Sequence, residues 1–191
     1  MKTSSIVSVL LLASASLLGV APALAPLKLV TANNHISFVT KQMGVPLEGH
    51  FKKFEAQVVF NPAQLATSHI TLNVDTGSAT FDAPETDAEM PKATWFNVPK
   101  FPQATFQSSS IKALGGGKYE VAGKLSIKGT ARDVVAPVTV VQSGANTTAT
   151  GTLTIQRLTY KIGENEWADT SMVANDVQIK FKLALTGVGK L

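Results

Sequence analysis

The feature that most limits what this chain can fold into is a period of two in its apolar residues. From Asp176 onward, Val177, Ile179, Phe181, Leu183 and Leu185 alternate with Gln178, Lys180, Lys182 and Ala184. Thr148 to Leu158 sets Ala149, Leu153 and Ile155 against a row of threonines, and Tyr119 to Ile127, Ile70 to Val74 and Phe54 to Phe60 repeat the pattern. Side chains of a strand point alternately to its two faces, so each run predicts a strand with one apolar and one wet face. Less regular strands are expected at Ile36 to Met43, Pro46 to Phe51 and Ala104 to Ile111. Val134 to Val141 is apolar on both parities, as a covered strand would be, with Pro137 marking an edge, a bulge or a strand end.

Turn chemistry falls between the runs: Gly115-Gly116-Gly117, Lys128-Gly129-Thr130, Ser143-Gly144-Ala145-Asn146 and Gly163 to Asp169. That rhythm favours consecutive antiparallel pairing. Only Ala83 to Thr94 permits a short helix or a capping loop, ahead of the apolar cluster Trp95, Phe96, Val98 and Phe101. A sheet that is apolar on one face must close on itself or pair with a second sheet, so the fold is all-β, a barrel or a sandwich. An eight-stranded barrel has room for packed side chains or for one small ligand, and the alternation does not choose between them.

Residues 1–25 do not belong to this pattern. Lys2 precedes an apolar run from Ile6 to Val20 and then the small-residue stretch Ala21-Pro22-Ala23-Leu24-Ala25, the order of a secretory signal peptide cut after Ala23 or Ala25. Residues 26–191 then form one domain, large enough to fold on its own core. The chain has 0 Cys, so neither disulfides nor thiolate chemistry contribute. Its charge of +4 includes Lys2 and is spread along the strands without interleaved aromatics, which argues against a nucleic-acid partner. No later stretch is long and apolar enough to predict an integral membrane span, which leaves transient contact with a membrane surface.

Several motifs invite chemistry. Asp75-Thr76-Gly77-Ser78 matches an aspartic protease signature, but that mechanism needs a second carboxylate and the sequence repeats no Asp-Thr-Gly; a strand end entering a turn is expected instead. Gly115-Gly116-Gly117-Lys118 lacks the spacing of a phosphate loop, and His35, His50 and His69 share no metal-ligand spacing. Asn146-Thr147-Thr148 has the form of a glycosylation acceptor.

The motifs taken in order resemble the YceI family of exported, lipocalin-like, polyisoprenoid-binding proteins. They are His35-Ile36-Ser37-Phe38-Val39, Met43-Gly44, Gly49-His50-Phe51-Lys52-Lys53-Phe54, Val59-Phe60-Asn61-Pro62, and Asp87. Trp95-Phe96-Asn97-Val98, Lys100-Phe101-Pro102, Ala104 to Ser108, Gly123 to Thr130, Leu153 to Arg157 and Val177-Gln178-Ile179 follow. Thr86 and Asn97 depart from the family's usual residues. The resemblance implies an antiparallel, eight-stranded lipocalin-like β-barrel with a short helical or loop cap, a periplasmic location, no catalytic residues, and no cofactor beyond an isoprenoid lipid or quinone held as ligand. A homodimer through the loops is compatible with such a barrel. The expected cavity wall is Phe38, Phe51, Phe54, Val58, Ile70, Leu72, Phe96, Phe101, Phe106, Leu125, Leu153, Ile155, Ile179 and Phe181. Each is equally a core residue if the barrel is packed shut, as it would be in a structural or interaction protein. Arg157 stands alone on an apolar face: it either reaches solvent at the rim or points inward to a carboxylate or a lipid head-group oxygen. With each buried CH₂ worth about 0.8 kcal/mol, tail length is expected to dominate affinity.

Overall fold

A computed structural model describes residues 26–30 and 34–191; the leader expected at 1–25 lies outside the described residues. The strands are β1 (Lys28–Leu29), β2 (His35–Gln42), β3 (Val45–Phe51), β4 (Phe54–Val59), β5 (His69–Asp75) and β6 (Ala79–Thr80). After a single helical turn, α1 (Pro84–Asp87), come β7 (Gln103–Gly115), β8 (Lys118–Ile127), β9 (Thr130–Ser143), β10 (Asn146–Gln156) and β11 (Asp176–Thr186). All belong to one antiparallel sheet in the order β4-β5-β7-β8-β9-β10-β11-β2-β3-β6, with β1 laid on β11. The sheet curls into a lipocalin-like barrel. At one end its edges meet where Lys52-Lys53 turns β3 into β4: the Lys52 amide donates to the Ser78 carbonyl and the Asp75 amide to that of Lys53. At the other end the Leu27 amide, beside β1, donates to the Val58 carbonyl of β4.

Every run with period two forms a strand, except that the run to Leu158 ends at Gln156 and puts Arg157 and Leu158 in the turn that follows. The sheet has 11 strands rather than the eight of the expected barrel: the nine runs read as strands are all present, and the two unforeseen ones, β1 and β6, are two residues long, too short to carry a periodic signal. The covered strand expected at Val134 to Val141 is corrected: Val135 is 54% and Val141 60% exposed, so β9 has an outer face like its neighbours. Pro137 lies inside β9 rather than at a strand end, at the point where β9 loses its partner on one side. The β9–β10 ladder runs from Ser143↔Asn146 to Val138↔Gly151 and stops there, while β9 stays paired with β8 down to Thr130. The gap is filled by the turn Arg157–Tyr160, whose Tyr160 ring is buried in the core.

The two poles of the barrel differ. At one, the hairpin tips Gly116 and Gly144, the first described residues and the C-terminal segment gather over an apolar floor of Val58, Leu183 and Leu185, packed by Leu27, Leu29 and Val188. At the other lie the Met43-Gly44 and Lys128-Gly129 tips, α1 and the loop from Arg157 to Asn175.

Candidate ligand cavity

The inward faces of the strands do not meet. They enclose a cavity of about 420 Å³, in the size range of small-molecule sites, bordered by Ile36 and Phe38 on β2, Leu72 and Val74 on β5, Phe106 on β7, Leu125 on β8, Leu153 on β10 and Ile179 on β11. Inward-facing Leu72, Val74, Phe106, Leu153, Ile179 and Phe181 remain only half-buried, which a close-packed interior would not allow. The exposed residues on the wall are Gln42, at the end of β2, and Glu85 on α1, which places the mouth between the β2–β3 hairpin and the cap.

Close approach of backbone to aromatic rings shapes the wall. Gly49 lies opposite Phe38 and Gly151 opposite Phe181 in the ladders, and Gly123 packs against Phe106. A Cβ at Gly151 would come 2.2 Å from Phe181 Cζ and 2.6 Å from the Pro137 carbonyl oxygen, so only glycine lets this ring lie flat on the neighbouring strand.

Two buried cations hold the mouth together. Arg157 is 1% exposed and donates all five of its N–H groups to backbone carbonyls: Nε to Ala174, Nη1 to Ile162 and Gly163, Nη2 to Trp167 and Val173, at 2.6 to 3.0 Å. Burial lowers its pKa, and five carbonyl dipoles stand where a counter-ion would. Lys128 spends its three donors on the carbonyls of Ala93 and Lys161 and on Glu164 Oε2. The Ala93–Trp95 and Lys161–Val173 segments are thereby pinned to one another, an arrangement strengthened by the Gly163 and Glu164 amides on the Thr94 carbonyl. The cap is tied from the other side by Asp87, which accepts from Thr80 Oγ1 at 2.6 Å and from the Phe81 amide at 2.7 Å. Desolvation would raise its pKa, but these hydrogen bonds and nearby Lys52 outweigh it and hold the carboxyl below its ordinary value.

A family model described as the YceI-like domain matches residues 27–185. The chain belongs to the YceI family. Among solved structures, Burkholderia cenocepacia BcnA is 47% identical with a TM-score of 0.78, over 80% of this chain and 96% of that one. A polyisoprenoid binding domain from Saccharophagus degradans, implicated in plant cell wall breakdown, shares the fold at 14% identity and a TM-score of 0.67, over 85% and 97%. A UPF0312 protein of Vibrio cholerae is 30% identical over 114 residues, 59% of this chain and 60% of that one, so the chain spans less than two thirds of this curated relative.

In this YceI barrel the expected wall residues Phe38, Phe51, Val58, Ile70, Leu72, Phe96, Phe106, Leu125, Leu153, Ile155, Ile179 and Phe181 all border the cavity. Phe54 and Phe101 do not. Phe54 packs into the floor cluster because β4 begins at the corner, and Phe101 lies against Gly129 with its carbonyl accepting from Thr76 Oγ1. Arg157 borders the cavity, but neither expectation for it holds: it is away from solvent, its partners are main-chain carbonyls, and it has no N–H left for a head group. Asp75 takes the bland role, its Oδ1 accepting from the Gly77 amide at 2.9 Å to cap a turn. Absent from the expected wall are the tryptophans: Trp95, legible only as part of an apolar cluster, and Trp167 both border the cavity, their ring centroids 5.6 Å apart. Trp167 is 72 residues from Trp95, in a segment read only as a turn, and no periodic signal links them.

Proposed function

We propose that this YceI protein is an exported, non-catalytic carrier or sequestering protein for a lipid with a long isoprenoid tail, polyprenyl or respiratory quinone, which it encloses in the barrel. The observation that carries this reading is the apolar cavity, floored at one pole and open between Gln42 and Glu85 at the other. A tail supplies buried CH₂ groups at about 0.8 kcal/mol each, before ordering costs, and needs no specific polar contact to bind. Family membership and the polyisoprenoid-binding relative of the same fold support the class of ligand, and the leader-like residues 1–25 support export to the periplasm.

The tail enters from a lipid surface. Beside the mouth, Met43 and Val45 at the β2–β3 tip are each 66% exposed and Met172, whose carbonyl accepts from the Met43 amide, is 44% exposed. Three large apolar side chains gathered at one opening are suited to shallow, reversible insertion. Native mass spectrometry of protein purified from its own host tests the reading. A retained mass that extracts as an isoprenoid is expected; a ligand-free protein that also takes up no added isoprenoid would rule the reading out.

A further inference from the structure

The cavity is almost wholly apolar, but its polar atoms gather at the mouth pole and three of them are unpaired. Thr40 Oγ1, Trp95 Nε1 and Trp167 Nε1 are buried with no hydrogen-bond partner among the described residues, and all three residues border the same cavity. Buried donors are nearly always satisfied, so two unpaired indole N–H groups at one end of a ligand cavity call for an explanation. Loose packing does not provide it. The carbonyl of Trp167 is fixed by Arg157, and the Trp95 segment by Lys128 on one side and by the Gly163 and Glu164 amides on the other. The protein spends eight cationic N–H donors on holding these segments and leaves the two indole donors unused.

The charges at the same pole narrow what would use them. The ionic residues on the cavity wall are Glu85, Glu89 and Arg157. All five N–H groups of Arg157 and the three of Lys128 are committed within the protein, and Glu89 is paired with Lys92 on the outside. A phosphate or diphosphate would therefore meet carboxylates and no uncommitted cation on this wall, whereas an uncharged oxygen acceptor would meet N–H donors and a hydroxyl.

We propose that Trp95 and Trp167, with Thr40, form a head-group subsite for an uncharged carbonyl oxygen, and that the adjacent, mutually tilted indoles turn at the mouth to donate to it. The turning is required because neither Nε1 is open to the cavity in the resting arrangement, where each donor goes unpaired. A carbonyl at the end of the tail supplies the missing acceptor, and one such oxygen has lone pairs for both indoles. This assignment rests on the lipid-enclosing function proposed above and adds a selectivity which that function does not itself need.

The test uses three probes of equal isoprenoid length, a methyl ketone, the plain hydrocarbon and the diphosphate, with the full protein and its Trp95→Phe and Trp167→Phe variants. Phenylalanine keeps an aromatic ring and removes the donor together with the second ring of the indole, so ketone and hydrocarbon are compared within each variant. The chain contains 2 Trp, and they are these two, so intrinsic fluorescence reports on the subsite directly. The wild-type protein is expected to bind the ketone roughly tenfold more tightly than the hydrocarbon, as one to two net hydrogen bonds allow, and the diphosphate more weakly than the ketone. Only the ketone is expected to shift the tryptophan emission strongly. Each variant should lose most of its ketone-over-hydrocarbon ratio, a ratio in which the area lost with the indole cancels, and a cooperative thermal unfolding transition shows that it folds. A preference unchanged in both variants, an equal loss of hydrocarbon binding, or a diphosphate that binds best would each overturn the subsite and leave the lipid reading standing. Failure of the wild type to bind any of the three would overturn both.

Discussion

Single residues at the mouth act through the main chain. Lysine at position 157 would keep the charge but offer three donors to five carbonyls, leaving at least two buried acceptors unpaired. Arg157→Lys is therefore expected to cost about 2 to 4 kcal/mol in urea unfolding, a loss that a rim arginine in solvent would not show. Asp87 gives the pH dependence. Its folded pKa lies below the ordinary 3.8, so its contribution is complete above that value and disappears as pH falls through the lower folded one. Amide exchange of Thr80 to Ala88 should be flat from pH 8 to pH 5 once corrected for intrinsic rates, then rise sharply in acid. Asp87→Asn should show the faster exchange at every pH. The sequence flagged Arg157 as an anomaly, since one cation on an apolar face violates the pattern. It could not name the partners, because backbone carbonyls brought together from Ile162 to Ala174 leave no mark in residue types.

Strands were the most legible level, because period two is written directly into side-chain identity. The structure departs from the pattern at Val134 to Val141, where a run of β-branched residues predicts burial on both faces, although a strand can carry valine outward for its conformational preference alone. The inward parity also picked out most of the cavity wall, yet could not show that the interior is hollow, since filled and empty barrels require the same alternation. Glycine was the overlooked clue. Gly123 and Gly151 sit on the apolar parity of β8 and β10, where they make room for Phe106 and Phe181. Gly151→Ala should cost about 1 to 3 kcal/mol, because a side chain there strikes the Pro137 carbonyl as well as the Phe181 ring. Thermal unfolding measures the loss, and a reduced capacity for bound tail would show that the displaced ring moves into the cavity.

The whole molecule has a direction, with the mouth at one pole and an apolar floor at the other. Affinity for a series of isoprenoids is therefore expected to rise with each added unit and to stop rising once the tail reaches Val58, Leu183 and Leu185. Calorimetry across the series checks this, and a flat series would mean that the cavity is not used along its length. Replacing Met43, Val45 and Met172 together by serine should slow exchange of ligand with vesicles severalfold and leave equilibrium affinity in detergent unchanged, because those side chains lie outside the cavity wall. Leu27, Val188 and the pairing of Lys28 with Thr186 bring the first described residues and the C-terminal segment to the floor, where the Leu191 amide donates to Gln142 Oε1. Anything joined covalently after Leu191, whether a reporter domain, a bead or a sensor chip, therefore attaches at the blind pole. Molecules immobilised in this way would all stand the same way up, with their openings free to sample the surrounding fluid.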